Sequence, residues 1–433
     1  MIPIKRLKDL SPGECDRLFN RFGDDFTSIM IDTVIPIARD VKKTGDHAVI
    51  TYTEKFDGVK LTSIIATHEE IEAGRRNTPH ELYGAFLEAK HNIEEFHRRQ
   101  VRENIRHESD DGTVLGVIYH PIESAAIYVP GGKALYPSSV LMGVIPAQIA
   151  GVEHITLITP PGKNGKLPDV ICAVCSMLNI TSVIKSGGAQ GIAAAGFGTE
   201  SVRKVDIIVG PGNIYVTAAK TYLFSLGLVQ IDSPAGPSEV LLIADDRANP
   251  TWVAWDLLSQ AEHDEMAVPI LLTTSRELAE KVRSIIDEDL SSGTGRHVIK
   301  RASIEHNGLI LLVDRIDEAV NFSNRFGPEH MEFMVEKPMD YLGMIKNVGS
   351  LFLGDYAPVA VGDYFSGTNH ILPTGGAARF SSGTSVETFM RRTTYQLLSR
   401  QALAKSRGPV NAMSKSEGFQ DKHGGSISVR FED

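Results

Sequence analysis

The sequence predicts an α/β protein built on parallel β-sheets. Two stretches, 125–245 and 238–355, alternate short apolar strands with helical segments at the spacing of βαβ units. Glycine-rich turns follow several of the strands, where a parallel sheet needs a tight connection into the next helix. Because 433 residues are too many for one compact core, we also expect two or more domains.

Each alternation predicts its elements in order. The first predicts strands at 125–129, 154–159, 181–185 and 205–209, with helices at 138–150, 169–178 and 214–226. The second predicts strands at 239–244, 268–273, 308–313 and 350–353, with helices at 251–261, 275–290 and 316–325. The 3.6-residue apolar period predicts helices at 34–52 and 79–101. Beyond about 385 the chain is predicted to be helical and polar.

Composition and charge exclude several classes of protein. The net charge is −10, so the chain repels nucleic acid and anionic membranes, and a small-molecule or protein partner is expected. Neither a signal peptide nor an apolar run long enough to span a bilayer is evident. Three cysteines are too few for a disulfide framework, which predicts a cytoplasmic protein. Cys172 and Cys175 lie in an apolar helical stretch and are interpreted as buried packing rather than a redox or metal pair.

Three glycine-bearing turns suggest a phosphate-binding edge of one sheet. They are Tyr128-Val129-Pro130-Gly131-Gly132, Gly187-Gly188-Ala189-Gln190-Gly191 and Gly210-Pro211-Gly212-Asn213. Such turns let backbone amides and the positive end of the next helix approach phosphate. None completes the dinucleotide fingerprint, and each alone is more often a tight βα connection. Together they favour a nucleotide without saying which one.

Two pairs of polar residues are candidate metal ligands. Gln260 and His263 are three residues apart in a predicted helix at 255–266, so both would project from one face. Asp363 and His370 lie in a predicted loop at 361–370. A lone pair such as Gln260 and His263 is more often simply part of a polar surface. Imidazole, carboxylate and amide groups together nevertheless suit zinc or another borderline divalent ion.

Glu329 and His330 are adjacent after a Phe-Gly-Pro turn. Adjacent Glu and His are common by chance. A neutral imidazole beside a carboxylate is nevertheless suited to moving an alcohol proton near neutral pH, so the pair is a candidate acid–base unit.

Eight motifs in a fixed order carry a resemblance to a known family. They are Tyr128-Val129-Pro130-Gly131-Gly132, Gly187-Gly188-Ala189-Gln190, Val209-Gly210-Pro211-Gly212-Asn213-Ile214-Tyr215-Val216, Pro234-Ala235-Gly236-Pro237-Ser238-Glu239-Val240, Leu258-Ser259-Gln260-Ala261-Glu262-His263-Asp264, Gly327-Pro328-Glu329-His330, Gly362-Asp363-Tyr364 and Gly367-Thr368-Asn369-His370-Ile371-Leu372-Pro373-Thr374. Over roughly residues 30 to 430 this order resembles the histidinol dehydrogenase family.

The resemblance implies roles for individual residues. One zinc ion per subunit would be held by Gln260, His263, Asp363 and His423 of the partner subunit. NAD would be bound by Tyr128, Gln190 and Asn213. Substrate would be bound by Ser238, Gln260, His263, His330, Asp363, His370, Glu417 and His423. Glu329 and His330 would be the catalytic acid–base pair, while two hydrides pass to NAD as L-histidinol is oxidised through the aldehyde to L-histidine.

The fold that the resemblance implies is two incomplete Rossmann-like domains with small extensions that clasp a swapped homodimer. The implied boundaries are 1–25 for an N-terminal helical extension, 26–127 with 238–384 for a first α/β domain, 128–237 for the NAD-binding domain and 385–433 for the C-terminal extension.

Two departures leave the substrate open. The family often carries a Glu just before Gly-Asp-Tyr, whereas residues 357–361 here contain no carboxylate, with Val359 at that place. Glu417 and His423 are six residues apart rather than five, with Lys422 between them. A lost anion and a gained cation favour a less cationic alcohol. A sulfonated propanediol is therefore the alternative substrate, and a zinc hydrolase or a non-catalytic nucleotide-binding module are alternatives of other classes.

Overall fold

The structure is a computed structural model that describes residues 1–21, 25–131, 134–233 and 236–431. Contacts divide the chain into two compact units. The larger unit comprises residues 1–100 and 122–389, and the smaller comprises 101–121 and 390–433. None of the described helices is long and apolar enough to cross a membrane.

The described strands and helices follow one another along both units. The strands are β1 (Ile4–Arg6), β2 (Ile105–Glu108), β3 (Val114–Pro121), β4 (Ser124–Tyr128), β5 (His154–Thr159), β6 (Ser182–Lys185), β7 (Ile207–Val209), β8 (Gln230–Ile231), β9 (Glu239–Ala244), β10 (Val268–Thr273), β11 (Leu309–Leu312), β12 (His330–Met334), β13 (Ser350–Leu353) and β14 (Met390–Leu397). The α-helices are α1 (Pro12–Phe19), α2 (Asp25–Ile29), α3 (Ile35–Thr44), α4 (Asp46–Asp57), α5 (His68–Asn77), α6 (His80–Arg98), α7 (Pro137–Ala150), α8 (Asp169–Met177), α9 (Gly188–Phe197), α10 (Ile214–Ser225), α11 (Pro250–Ala261), α12 (Arg276–Ser292), α13 (His297–Asn307), α14 (Ile316–Phe326), α15 (Val359–Tyr364), α16 (Arg400–Ser416) and α17 (Gly425–Ser428).

The first parallel sheet has the strand order β1-β11-β10-β9-β12-β13 among the described residues. Its central strands are apolar on both faces, as expected where helices cover a sheet on each side. Along β9, Val240 and Leu242 belong to the core on one face, while Leu241 and Ile243 belong to the core on the other. The sheet therefore forms the middle layer of three.

The second parallel sheet has the order β6-β5-β4-β7-β8 in the part of the chain that the structure describes. Its central strand β4 is buried throughout, with Ala125 and Ile127 in one core and Ala126 and Tyr128 in the other. Two parallel sheets with helices on both faces confirm the predicted α/β class. The swapped homodimer stays a prediction.

The packing of the N-terminal helices differs from the grouping drawn from the sequence. Val34 and Ile37 share a core with Ile158 and Ile184 of the second sheet, although residues 26–127 were assigned with 238–384. The apolar period of a helix shows which face is buried but not which sheet covers it. The domain boundaries themselves stay a prediction.

Several local predictions are wrong. Residues 1–25 were expected to be a helical extension; Pro12–Phe19 are helical, but Ile4–Arg6 form a strand that pairs in parallel with β11. Residues 390–397 were expected to be helical, but they form β14. The helix predicted over 34–52 is divided at Gly45, which has a φ of +55°. By contrast, Cys172 and Cys175 are buried in α8, which confirms their interpretation as packing residues.

The smaller unit is a three-stranded antiparallel sheet with helices that follow it. Among its described residues the strand order is β14-β3-β2, and Tyr395 of β14 pairs with Gly116 of β3. Ser399 caps α16 by accepting a hydrogen bond from the Ala402 amide. The exposed polar side chains along α16 agree with the polar character predicted for the chain beyond about residue 385.

Candidate active site

Two buried carboxylates, Glu239 and Glu329, stand at the amino ends of neighbouring strands of the first sheet. Glu239 begins β9, and Glu329 directly precedes β12, which pairs with β9. The Glu239 amide donates to Oε2 of Glu329 over 2.9 Å, and the Glu329 amide donates to Oε2 of Glu239 over 3.3 Å. The two residues therefore fix each other across the strand pair.

Arg21 compensates the charge of Glu239. Its Nε lies 2.5 Å from Oε1 of Glu239, and the guanidinium also lies 3.6 Å from the centre of the Phe326 ring. The Gly375 amide donates to the same Oε1 over 3.0 Å. Burial raises the pKa of Glu239, while the Arg21 guanidinium opposes that rise.

His330 presents one ring nitrogen without a hydrogen-bond partner. Its Nδ1 donates to the backbone carbonyl of Glu239 over 3.2 Å, which leaves the lone pair on Nε2. Nε2 is buried, has no hydrogen bond among the described residues, and lies 3.7 Å from Oδ1 of Asp363. Burial lowers the pKa of His330 to about 4, against the opposing field of Asp363. The imidazole is therefore neutral at pH 7 and able to accept a proton.

Burial also raises the pKa of Glu329 well above its usual range, and the charges of Glu239 and Asp363 raise it further. The hydrogen bond from the Glu239 amide opposes that rise. A carboxylate with a raised pKa is a stronger base than an exposed one when it is ionised. Neutral His330 and ionised Glu329 can each accept a proton, and the raised pKa makes Glu329 the stronger base of the two.

Asp363 and His370 lie on the same side of this pair. Asp363 was expected in a loop, but it lies in the short helix α15, which begins after Pro358. The Asp363 carbonyl accepts a hydrogen bond from Nδ1 of His370 over 2.9 Å. Nε2 of His370 lies 3.0 Å from Oγ of Ser139 on α7. This histidine therefore connects α15 to α7.

The loop before His370 is held by Asn369. The Asn369 side-chain amide donates to the Met142 carbonyl over 2.7 Å, and its oxygen accepts from the Ile371 amide over 2.9 Å. A buried amide that is bonded to two backbone groups fixes the direction of the neighbouring side chain. His370 therefore keeps its place between α15 and α7.

Gln260 and His263 stand at the end of α11. The helix ends at Ala261, so His263 lies in the turn beyond it rather than on the same helical face, and that prediction is wrong. The His263 amide still bonds to the Gln260 carbonyl over 3.2 Å. The His263 charge lowers the pKa of both His330 and His370, which places this imidazole within electrostatic reach of the site. Gln260 is buried beside it.

The structure also tests whether these residues fit a metal ion. In the part of the chain described, no group of three or more His, Cys, Asp or Glu side chains could hold one. The predicted ligands from the larger unit include only two such residues, His263 and Asp363, with Gln260 as an amide. Imidazole nitrogen with carboxylate and amide oxygen is a donor set that a borderline divalent cation accepts. The set fits zinc chemically but needs a further ligand.

The glycine turns lie at the carboxyl ends of the second sheet, after β4, β6 and β7. The Gly188 amide donates to the Tyr128 hydroxyl over 3.3 Å, and burial raises the pKa of Tyr128 to about 12. Gly210 has a φ of +123°, and a Cβ there would lie 2.1 Å from the Tyr128 carbonyl oxygen. Only glycine fits this close approach. Gly132, Pro234 and Ala235, which complete two sequence motifs, lie outside the described residues.

The other predicted ligand-binding residues have varied surroundings. Gln190 is buried at the start of α9. Asn213 is exposed, and its side-chain oxygen caps α10 by accepting from the Tyr215 and Val216 amides. Ser238 is half-buried next to Glu239. Glu417 and His423 are exposed in the smaller unit, so their part in the site stays a prediction.

Sequence reasoning missed Arg21, Ser139 and the structural role of Glu239. Arg21 is 218 positions from Glu239, and Ser139 is 231 positions from His370. No local sequence pattern shows contacts between residues so far apart. A buried Glu at the start of an apolar strand was the one available signal, because charged residues are seldom fully buried without a partner.

Together these features define an α/β protein with a glycine-lined parallel sheet beside a buried imidazole–carboxylate cluster. Comparison with known proteins makes this more specific: the chain belongs to the histidinol dehydrogenase family, whose model matches residues 21–431.

Named relatives and a solved structure agree with this family. The histidinol dehydrogenase of Leptospira biflexa is 47% identical over 424 residues, covering 96% of this chain and 97% of the relative. That of Halalkalibacterium halodurans is 45% identical over 410 residues, covering 95% and 96%. The crystal structure of histidinol dehydrogenase from Elizabethkingia anophelis superposes with a TM-score of 0.92 at 37% identity, covering 100% of this chain and 98% of that one.

Proposed function

We propose that this protein oxidises L-histidinol to L-histidine in histidine biosynthesis, using NAD in two successive hydride transfers. Family membership over residues 21–431 supports the proposal. The single structural observation that carries it is the buried, neutral and unpartnered Nε2 of His330 next to Glu329.

The residues of the chain account for the proton transfers. Nε2 of His330 accepts the hydroxyl proton in the first oxidation, since Nδ1 is already bonded to the Glu239 carbonyl. Glu329 accepts a proton from the water that adds to the aldehyde. The buried surroundings of both residues exclude bulk water, which protects the aldehyde between the two steps.

NAD and zinc supply the remaining chemistry. Tyr128, Gln190 and Asn213 would hold NAD, which would serve as the hydride acceptor of both oxidations. The glycine turns fit its phosphates because they bring backbone amides to one sheet edge. Gln260, His263, Asp363 and His423 of the partner subunit would hold zinc, which would supply a template for orienting the substrate. Ser238, His370 and Glu417 complete the substrate contacts in this proposal.

A shared site implies a swapped homodimer, with residues 385–433 as its clasp. Subunit mixing tests this directly. His263→Ala and His423→Ala chains should each be inactive alone. After random exchange about half of the dimers contain one chain of each kind, and each of these has one complete site out of two. Mixing should therefore restore about a quarter of wild-type activity. Mixtures that stay inactive after confirmed subunit exchange would show that the site is built within one chain.

We also propose a cytoplasmic location, in keeping with three free cysteines in the structure, at positions 15, 172 and 175.

The division into domains is proposed as drawn from the sequence, with NAD bound by residues 128–237. Limited proteolysis with and without NAD should protect that segment selectively.

An NADH assay tests the proposed reaction. Histidinol should produce two NADH per histidine formed, with the product measured by chromatography. The panel should include a sulfonated propanediol, because Val359 leaves residues 357–361 without a carboxylate. Turnover of the sulfonated diol with none of histidinol would reject the substrate while keeping the dehydrogenase class.

A further inference from the structure

Glu239 contacts both members of the proposed acid–base pair. Its amide donates to the Glu329 carboxylate, its carboxylate accepts from the Glu329 amide, and its carbonyl accepts from Nδ1 of His330. Glu239 thus fixes both the position of the Glu329 carboxylate and the tautomer of His330. Its own side chain is completely buried.

The Glu239 carboxylate also joins three separated segments of the chain. It is bound by Arg21 near the N-terminus, by the Gly375 amide after the His370 loop, and by the Glu329 amide before β12. The Arg21 side chain is only 7% exposed. The Arg21 and Glu239 charges therefore mainly compensate each other. Removing one partner leaves an uncompensated buried charge, which is strongly destabilising.

Arg21 has two further anchors. Its guanidinium donates to the Leu18 carbonyl over 2.6 Å and to the Phe326 carbonyl over 2.9 Å. Phe326 ends α14, which leads through Gly327 and Pro328 into Glu329. The same guanidinium therefore holds Glu239 and the turn that precedes the acid–base pair.

We infer that Glu239, held by Arg21, is the positioning residue that sets the orientation of Glu329 and His330 for proton transfer. The inference rests on the proposed function, since it assigns a role within the same site. It assigns Glu239 no contact with substrate and no share in proton transfer. Its effect passes through the two residues that it holds.

Three variants separate positioning from simple stability. Glu239→Gln keeps the shape but removes the charge, and Arg21→Met removes the partner while the Glu239 backbone contacts remain. Lys300→Met is the matched control, because Lys300 forms a largely buried ion pair with Asp289 that joins α13 to α12. All three should lower the melting temperature.

The kinetic test compares the change in kcat with the change in the KM for NAD. Glu239→Gln should lower kcat by about 100-fold, since small misplacements of catalytic groups have effects of this size. The KM for NAD should stay within about twofold of wild type, because the glycine turns belong to the other sheet. Lys300→Met should leave kcat unchanged at a comparable loss of melting temperature. Equal kcat in Glu239→Gln and Lys300→Met would overturn the inference.

A second measurement needs no turnover. Nitrogen-15 spectra of histidine-labelled protein, assigned with His330→Asn, report which ring nitrogen of His330 carries the proton. Wild type should show the proton on Nδ1. In Glu239→Gln the weakened bond to Arg21 should let the Glu239 backbone carbonyl shift away from Nδ1, which should give a mixture of tautomers. An unchanged spectrum in a folded variant would reject the positioning role. If histidinol is not oxidised, the proposed substrate fails, but this spectrum still decides the role of Glu239.

Discussion

The hydroxyl oxygen of Ser139 lies 3.0 Å from Nε2 of His370. Since Nδ1 of His370 donates to the Asp363 carbonyl, Nε2 carries the lone pair, and the Ser139 hydroxyl is the donor. Burial lowers the pKa of His370, which keeps this neutral form at pH 7. The contact joins α7, which packs on the glycine-lined sheet, to the loop that carries a proposed substrate ligand.

Ser139→Ala should loosen His370 without disturbing the fold. Loss of one hydrogen bond corresponds to about 0.5–1.5 kcal/mol, so the KM for the alcohol should rise by about two- to tenfold. The neighbouring Ser138→Ala is the matched control and should leave KM unchanged. Steady-state kinetics would decide, and an unaltered KM in Ser139→Ala would remove His370 from the substrate site.

His330→Asn should lower turnover by about two to four orders of magnitude, because positioned proton transfer contributes that much. Glu329→Gln should impair the second oxidation more than the first, since it is proposed to act on water. Rapid-quench analysis that measures aldehyde and acid separately would resolve the two steps. Full activity of His330→Asn, with an unchanged melting temperature, would place the base elsewhere.

His263→Ala should abolish bound zinc while the chain stays folded, because one imidazole ligand is lost and the residue is only half-buried. Asp363→Asn should weaken zinc binding as well. Atomic absorption after dialysis measures the metal content, and His297→Ala, at the start of α13, serves as the control. One zinc per chain retained by His263→Ala would contradict the ligand assignment.

Gly210→Ala should destabilise the protein and weaken NAD binding. Its φ of +123° is unfavourable for alanine, and the added Cβ would lie 2.1 Å from the Tyr128 carbonyl oxygen. Gly84→Ala is the control: a Cβ there meets nothing within 4 Å in α6, so stability should rise by about 0.5–1 kcal/mol. Thermal unfolding and NAD titration would compare them. Equal stability of both variants would contradict the described turn.

Glu332→Gln should change how stability depends on pH. Burial raises the pKa of Glu332 to about 9 and that of nearby Asp256 to about 6, so the folded protein binds protons that the unfolded chain releases above about pH 4.5. The stabilisation from protonated Glu332 is thus complete below pH 4.5 and lost as pH rises through 9. Melting temperatures from pH 5 to 9 should fall less steeply in Glu332→Gln than in wild type. Parallel slopes would show that Glu332 titrates normally.

Much of the fold could be predicted from local pattern. The strand at 239–244 is buried on both faces and the helix at 251–261 is amphipathic, and both appear where the sequence predicts them within a residue or two. The strand at 390–397 was missed because its side chains are largely exposed, so it has no apolar period to show it. The sheet that covers α3 and α4 was not predictable either, since amphipathicity carries no information about the partner surface.

The sequence by itself determined the α/β class, the glycine turns and the resemblance that made Glu329, His330, His263 and Asp363 candidate site residues, because all of these are encoded in short runs of residues. Only the tertiary structure decided that Arg21 compensates Glu239 and that Ser139 meets His370. These contacts join residues more than 200 positions apart, and their energies depend on burial and orientation, which chain separation does not reveal.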